Sequence, residues 1–324
     1  MGSIDVHTHF IPDTYLKALD ERGITAKEIG FPMARWDAKA RLDLMDRNDI
    51  QTEVLSLSSP GLRFWQGDAA ARLCRVLNDE LAGIVRDRPS RFGGFATLPL
   101  PDIDAALEEI AYAFDGLGLD GVVVMTNYDG VYLGNPVFAP VLDELNRRKA
   151  VVFVHPTEGP SNDIVVQGYP APAFEYPAET TRMIISLIDS DTVARCPDLK
   201  IIASHGGGTV PFIQPRLAVL LPWKRHEDPE AGAARVNGAI GALYYDTAIV
   251  SYPASLAALK VSHDTSKLLT GYDLPFFPGD EISLARENLA GFEGYSAAER
   301  EMITAGNALK LLPRLAEAVR PEAS

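Results

Sequence analysis

Eight short runs of Val, Ile, Leu and aromatic residues recur along the chain, each four to six residues long. Runs with so few polar interruptions are typical of strands that are buried on both faces of a parallel sheet. The predicted strands cover residues 3–6, 53–57, 92–97, 121–126, 151–154, 200–203, 242–245 and 267–270.

Stretches with a helical spacing of apolar residues lie between these runs. In one of them Asp37 stands at the N-cap position. Eight repeats of strand and helix predict an α/β fold, a (β/α)8 TIM barrel that forms a single domain over residues 1–324. A doubly wound sheet is the alternative, but it has no reason to stop at eight strands. The predicted helices cover residues 37–48, 68–88, 102–115, 136–149, 177–191, 211–221, 253–261 and 296–318.

Residues 157–177 depart from this pattern, because they contain four prolines and three aromatic residues without a helical period. The segment directly follows the fifth predicted strand. Long irregular segments in compact domains often cover or line a binding site. We therefore expect a lid or a subunit contact here, with an inert surface loop as the alternative.

The composition is ordinary for a globular protein with a large core, since 47% of residues are hydrophobic and 23% are charged. The net charge of −14 disfavours nucleic acid and anionic membrane surfaces as partners. Cys74 and Cys196 lie outside any metal-binding or redox motif, which predicts reduced packing residues in a cytoplasmic protein. The N-terminal residues lack the pattern of a signal peptide.

Four of the six histidines stand at or just beyond the C-terminal end of a predicted strand. Active sites of (β/α)8 barrels lie at that end. His7 and His9 are two residues apart, so their side chains point to the same side of a strand and can face one cation. His155 ends the fifth strand, and His205 precedes three glycines that allow a ligand to approach the backbone closely. Each motif taken alone could equally be structural.

Asp273 follows the eighth predicted strand. A buried carboxylate is costly unless it is paired or bound to a metal. A helix cap is the alternative, although no obvious helix starts after Pro275. Imidazoles and one carboxylate at the same end of a barrel predict a site for Zn²⁺ or Mn²⁺ with a position left for water or substrate. Coincident structural histidines remain the other interpretation.

These motifs resemble those of the amidohydrolase superfamily, which carries His-x-His on the first strand, His on the fifth and sixth strands, and Asp on the eighth. Within it, the chain is similar to amidohydrolase family 2, which includes aminocarboxymuconate-semialdehyde decarboxylase and aromatic-acid decarboxylases. The stretches TLPLP and LSSPG are more similar to those of 6-methylsalicylate decarboxylases. The resemblance spans nearly the whole chain through IDVHTHF, WDAKARLDLMDRNDI, HPT, SHGGG, YYDTA, GYDLPF and AGNALKLL.

The resemblance implies a barrel of the metal-dependent hydrolase type whose metal ligands are His7, His9, His155 and Asp273. It also implies that His205 lies beside the metal and handles protons. No lysine stands at the end of the fourth strand, where binuclear relatives carry a carboxylated bridging lysine. One divalent ion, Zn²⁺ or Mn²⁺, is therefore expected.

Substrate contacts are predicted less sharply. Arg216 matches an arginine that follows SHGGG in the family. The insertion that carries a substrate-binding arginine in the semialdehyde decarboxylase is missing, and only Arg35 is nearby. Gly208 stands where some resorcylate-type decarboxylases carry Glu. Six aromatic residues are further candidates, although aromatic side chains are more often core: Phe64, Trp65, Phe174, Tyr176, Phe276 and Phe277.

The resemblance implies nonoxidative decarboxylation of a small aromatic or unsaturated carboxylic acid, such as a salicylate-type ortho-hydroxy acid, with His205 as proton donor. The runner-up is hydrolysis of a lactone, ester or amide, in which Asp273 or His205 would take a proton from water. A hydratase is a third interpretation. A noncatalytic metal-binding scaffold is a fourth, which the intact ligand set disfavours. The family also implies a homodimer.

Overall fold

Eight parallel strands follow one another in chain order around a barrel in the computed structural model, which describes residues 2–26, 32–160, 170–276 and 279–319. All eight predicted strands are confirmed, with some ends shifted by a few residues. They are β1 Ser3–His9, β2 Ile50–Ser56, β3 Phe92–Thr97, β4 Gly121–Met125, β5 Val151–His155, β6 Lys200–Ala203, β7 Tyr244–Asp246 and β8 Leu268–Leu269.

The last strand and the residues after it close the barrel against β1. The backbone N–H of Val6 donates to the carbonyl of Thr270 at 2.9 Å, and that of His9 donates to the carbonyl of Leu274 at 2.7 Å. A parallel bridge also joins Thr8 to Leu274. These bonds bring the segment that contains Asp273 next to the end of β1.

Helices connect the strands on the outside of the barrel. Two begin at acidic caps: the predicted cap Asp37 accepts from Ala40 N at 2.8 Å, and Asp102 accepts from Ala105 N at 3.1 Å. No helix of the described residues is long and apolar enough to cross a membrane. The helices are α1 Asp13–Glu21, α2 Ala38–Arg47, α3 Gly67–Asp87, α4 Ile103–Ala111, α5 Ala139–Arg147, α6 Ala171–Asp189, α7 Thr192–Arg195, α8 Val210–Lys224, α9 Pro229–Ala242, α10 Pro253–Ser262, α11 Gly279–Gly291, α12 Ala297–Glu301, α13 Asn307–Leu311 and α14 Pro313–Ala318.

Part of the segment predicted to be irregular is helical. Residues 171–177 form the first turns of α6, with Pro172 in the opening turn, where its missing N–H costs nothing. Pro177 lies inside the helix, although the four prolines of the segment led to the prediction of irregular structure. The remainder of the predicted segment is described only up to residue 160, so residues 161–169 lie outside the described part of the chain.

Four helices were not predicted: α1, α7, α9 and α11. In α9 the buried face consists of Gly232, Val236 and Ile240, and alanine and glycine fill much of the rest, so its apolar contrast is weak. The predicted helix over 296–318 is divided by a π-helical turn at Met302–Gly306 and again before Pro313. Proline lacks the N–H that would continue the helix there.

The barrel interior is filled by apolar side chains from its strands, among them Ile4, Val54, Phe95, Phe153 and Ile202, all buried. Residues of the C-terminal helices, including Leu311, Leu312 and Leu315, belong to the same cluster. A larger cluster fills the layer between the strands and the helices. The interior is therefore a packed core, and polar side chains gather at the strand ends.

A buried ion pair supports β1 from outside the barrel. Arg41 of α2 binds Glu53 of β2 through Nη2 at 2.7 Å, and the same nitrogen donates to Thr8 Oγ1 at 2.7 Å. Thr8 lies between His7 and His9, so the contact helps to hold the backbone of both.

Both cysteines are buried and free, as the sequence predicts. Cys74 Sγ lies 3.0 Å from the carbonyl oxygen of Thr97, and Cys196 belongs to the large core cluster.

Candidate metal centre

His7 and His9 lie at the C-terminal end of β1 and are completely buried. His7 Nδ1 is 2.8 Å from Asp246 Oδ2, and His9 Nδ1 is 3.5 Å from Ser56 Oγ. These contacts leave the Nε2 atoms facing Asp273, whose Oδ1 is 3.2 Å from His7 Nε2 and 2.9 Å from His9 Nε2.

His155 is the last residue of β5, and Asp273 follows β8 with a positive φ of 56°. A positive φ is uncommon for residues other than glycine, and it occurs where contacts with the surrounding structure stabilise that backbone conformation. The N–H of Asp273 donates to the carbonyl of His7 at 2.8 Å. The His155 ring centroid lies 4.6 Å from that of His9 and 5.2 Å from that of His7. The structure therefore brings all four predicted ligands together.

The four residues fit a single divalent ion. One potential ligand atom from each of His7, His9, His155 and Asp273 lies within 4.8 Å of the others. Among the described residues, neither His7 Nε2 nor His155 Nδ1, both buried, makes a hydrogen bond, although His7 Nε2 lies 3.2 Å from Asp273 Oδ1. Such atoms are costly unless a ligand satisfies them. Three imidazoles and a carboxylate are donors that Zn²⁺ and Mn²⁺ accept.

The charges of the cluster also favour a cation. Burial lowers the pKa of His155 well below its ordinary value, and burial lowers the pKa of His9 too. Burial opposes a charged His7 as well, but Asp246 and Asp273 outweigh it and raise its pKa to about 10. Burial alone would raise the pKa of Asp273, but the neighbouring His7 and His9 rings hold it well below its usual range. The carboxylates thus require a positive charge, which a bound ion would supply.

Asp246 is a functional candidate that the sequence predictions missed. It is the last residue of β7 and is completely buried. Besides its contact with His7, its Oδ1 accepts from the N–H of His205 at 2.9 Å and from that of Ala248 at 3.0 Å. The sequence contained a signal for it, because Asp246 ends a strand directly after apolar and aromatic residues, as His155 does.

His205 follows β6 and lies beside the four-residue cluster. Its ring centroid is 4.9 Å from that of His7. Its φ is 53°, and its Nδ1 is 3.2 Å from the carbonyl oxygen of Ala248. This contact assigns the proton to Nδ1 and leaves Nε2 as the basic atom. Burial lowers the pKa of His205, and the neighbouring His7 acts in the same direction.

Two of the predicted aromatic contacts adjoin the centre. The Phe276 ring centroid is 5.4 Å from that of His9, and the Tyr176 centroid is 6.0 Å from that of His155. Burial raises the pKa of the Tyr176 hydroxyl, so it remains protonated. Phe64 instead packs against Trp65 in a neighbouring apolar cluster.

Other predicted candidates lie elsewhere. Arg216 is exposed on α8 and makes no hydrogen bond or ion pair among the described residues. Arg35 is exposed and paired with Asp13 at 2.6 Å. Phe174 is 52% exposed. Phe277, which follows Phe276 in the sequence, and Tyr169, which belongs to the segment 157–177, lie outside the described residues.

Comparison with known proteins decides the family. The model of the family described as amidohydrolase matches residues 4–314. The chain belongs to the amidohydrolase family. It is 36% identical over 320 residues to a 6-methylsalicylic acid decarboxylase from Penicillium expansum, covering 97% of each chain. It is 37% identical over 330 residues to the decarboxylase yanB from Aspergillus niger, covering 97% of this chain and 88% of the relative.

A solved structure supports the same assignment. The crystal structure of an amidohydrolase II superposes with a TM-score of 0.87 and 29% sequence identity, covering 96% of this chain and 99% of the other. The resemblance drawn from the sequence motifs is thus confirmed, as is the (β/α)8 barrel.

Proposed function

We propose that the protein is a metal-dependent, nonoxidative decarboxylase of aromatic carboxylic acids with an ortho hydroxyl group, that is, acids of the salicylate type. The observation that carries this proposal is the near full-length similarity to a 6-methylsalicylic acid decarboxylase. The site supports it, because His205, the proposed proton donor, lies beside the set of four potential metal ligands with its ring next to that of His7.

One divalent ion, Zn²⁺ or Mn²⁺, would be held by His7, His9, His155 and Asp273. Bound there, it would act as a Lewis acid that orients an anionic substrate and neutralises its charge. In this acidic protein, such a local positive charge is needed to attract a carboxylate.

His205 carries the proton step. In the reaction the bond between the ring carbon and the carboxylate breaks, CO₂ leaves, and the same ring carbon takes up one proton. Because Nδ1 of His205 is engaged by the Ala248 carbonyl, Nε2 is the atom that can hold and deliver that proton. Asp246 orients His205 through its backbone N–H and His7 through its ring.

Phe276 and Tyr176 form an apolar wall beside the ligands. They would exclude water from the reacting carbon, which strengthens electrostatic interactions within the site. Phe64 would act only through the packing of the loop after β2.

A panel assay separates this function from its runner-up. Metal-loaded protein is offered salicylates and, in parallel, lactones, esters and amides, while CO₂ release and hydrolysis are both measured. We expect CO₂ release from at least one ortho-hydroxybenzoate and none from its para-hydroxy isomer. Hydrolysis of the second group without CO₂ from the first would assign the protein to the hydrolases.

The dimer belongs to the same proposal. Helix α8 exposes an apolar face on which Phe212 is 88% exposed and Trp223 is 76% exposed. Arg216 and Val219 share this face, because the four positions follow helical spacing. Aromatic residues and arginine are enriched in interfaces. A second copy that covers this face would explain why Arg216 makes no hydrogen bond or ion pair among the described residues of its own chain. Arg216 would then contact substrate in the other protomer.

The segment 157–177 would lie near both this interface and the active site. Its residue Tyr176 adjoins His155, and α6, which contains residues 171–177, packs against α8. Sedimentation analysis should show a dimer that Trp223→Glu dissociates, whereas Val76→Glu at another exposed apolar position should not. Deletions within residues 161–169 should lower turnover at unchanged metal content. A fully active wild-type monomer would refute the dimer, and undiminished turnover after deletion would refute the lid.

A further inference from the structure

A cavity of about 570 Å³ opens between the loops that follow β2, β3, β4 and β5. None of the four candidate metal ligands lines it, and it is therefore distinct from the ligand cluster itself. Its apolar wall comes from six side chains on these loops and on α3: Leu62, Trp65, Ala70, Leu100, Met125 and Tyr128.

The floor of the cavity adjoins the metal centre through neighbouring positions of β4 and β5. Met125 is paired with His155 in the register between β4 and β5. Thr157, two residues beyond His155, also lines the cavity, and its Oγ1 is 3.0 Å from Ser59 Oγ. A ring held beside His155 would therefore have this cavity next to one of its edges.

The volume exceeds what a small ring substituent needs. A methyl group is close in size to a water molecule, whose share of liquid volume is roughly 30 Å³. The cavity is many times larger and falls within the range of about 300–1,000 Å³ typical of pockets that bury drug-sized ligands.

The charges around the cavity indicate a neutral occupant. Among the described lining residues, Arg63 is the one cationic side chain, and it is paired with Glu158 at 3.1 Å. Asp102 and Asp129 add two further carboxylates at exposed positions of the lining. The inner wall is buried and apolar, with Trp65, Ala70 and Met125 each 7% exposed or less. An anionic tail would meet uncompensated negative charge, whereas an alkyl chain would meet apolar surface.

We propose that this cavity is a substituent pocket that receives a neutral apolar chain on the ring of the substrate, so that the protein acts on salicylate-type acids with an alkyl group longer than methyl. The proposal rests on the decarboxylase function above and names its substrate class. Decarboxylation of a 6-alkylsalicylate would release CO₂ and, after the ring carbon takes up one proton, a 3-alkylphenol.

The first test compares kcat/KM for 6-methyl-, 6-propyl- and 6-pentylsalicylate with metal-loaded protein. Burial of each further methylene should raise kcat/KM by about three- to fourfold until the pocket is filled. If kcat/KM stays level or falls from the methyl to the pentyl compound while the methyl compound is still turned over, the substituent pocket is wrong. The decarboxylase function is not contradicted by that result. Absence of CO₂ from every salicylate would instead overturn the function.

A binding experiment does not depend on turnover. The affinities of 3-methylphenol and 3-pentylphenol are measured by calorimetry on the same metal-loaded protein. The pentyl compound should bind at least tenfold more tightly because its chain enters the pocket. Equal affinities would contradict the pocket even if the protein turned out to catalyse another reaction.

Two matched substitutions locate the effect. Ala70→Leu places added volume in the apolar wall and should lower the pentyl-to-methyl ratio of kcat/KM about tenfold. Ala71→Leu makes the same change one residue along α3 at a position that does not line the cavity, and it should leave the ratio unchanged. If Ala70→Leu does not fold, as judged by its unfolding temperature, Gln66→Trp at the exposed rim replaces it with the same expected direction. A ratio unchanged in the folded pocket variant would overturn the assignment.

Discussion

The side chain of Asp246 connects His7 to His205. Its Oδ2 is 2.8 Å from His7 Nδ1, while its Oδ1 accepts the backbone N–H of His205 at 2.9 Å. One buried carboxylate thus sets the ring orientation of a proposed metal ligand and the backbone position of the proposed proton donor. Partners of this kind fix the tautomer of a ligating histidine and raise its basicity.

Asp246→Asn tests this relationship. The amide oxygen can still accept from His7, but the amide nitrogen would then face the N–H groups of His205 and Ala248, so at least one bond is lost. Metal affinity should fall by about 10–100-fold, as measured by competition with a chelator, and kcat should fall as well. The exposed Asp20→Asn serves as the control. Unchanged affinity with unchanged kcat would remove Asp246 from the site.

His205→Asn separates proton transfer from metal retention. Asparagine tolerates the positive φ of 53° at this position. Metal content should stay near that of the wild type while kcat falls by a factor of about 10²–10⁴. His226→Asn is a matched control at an exposed position whose φ is 55°. Parallel loss of metal and activity would make His205 a ligand.

Asp273→Asn tests the carboxylate ligand. A neutral amide oxygen is a poorer ligand for Zn²⁺ or Mn²⁺ than a carboxylate, so elemental analysis should find substantially less metal per chain than in the wild type. Asp49→Asn, at a solvent-exposed position with a φ of 50°, controls for the substitution itself. Full metal occupancy in the Asp273 variant after dialysis against a chelator would contradict the assignment.

A pH-dependent contribution to stability is expected from His263, which is remote from the proposed ligands in the sequence. Its ring stacks on Tyr245 with centroids 3.8 Å apart, and neither ring nitrogen has a hydrogen-bond partner in the part of the chain that the structure describes. Burial lowers its pKa to about 4. As the pH falls, His263 therefore takes up its proton at a higher pH in the unfolded chain than in the folded protein. The stabilisation is complete above pH 6.5 and is lost as the pH falls toward 4.

The free energy of unfolding should fall by up to about 3 kcal/mol across that pH range. Denaturant unfolding of the wild type and of His263→Phe at several pH values measures it. Phenylalanine retains the stacking and cannot be protonated, so the variant should lose less stability between pH 6.5 and 4. Identical pH profiles of the two proteins would show that His263 does not contribute.

The sequence predicted that the four proposed ligands lie together because these residues obey two simple rules. His7 and His9 alternate on one strand, and His155 and Asp273 each follow an apolar run, so their relative placement is a consequence of barrel topology. Asp246 obeys the same rule but ends a strand of only three residues, whose predicted end fell one residue too early.

Other features depend on tertiary contacts that local pattern does not encode. Residues 171–177 are helical despite two prolines, because α6 continues through residues whose buried face includes Tyr176 and Thr180. Helix α9 is assembled from small residues that pack closely, with Gly232 near Pro222. No sequence motif indicated that Arg216 is exposed, because the packing of α8 determines which of its residues face solvent.

The measurement that tests the central claim most directly is decarboxylation of 6-methylsalicylate in D₂O by metal-loaded protein. The account predicts stoichiometric CO₂ and 3-methylphenol that carries one deuterium on the ring carbon that bore the carboxylate, with both products strongly reduced in His205→Asn and unaffected in His226→Asn. Recovery of intact 6-methylsalicylate under these conditions, together with hydrolysis of a lactone or ester by the same preparation, would contradict it.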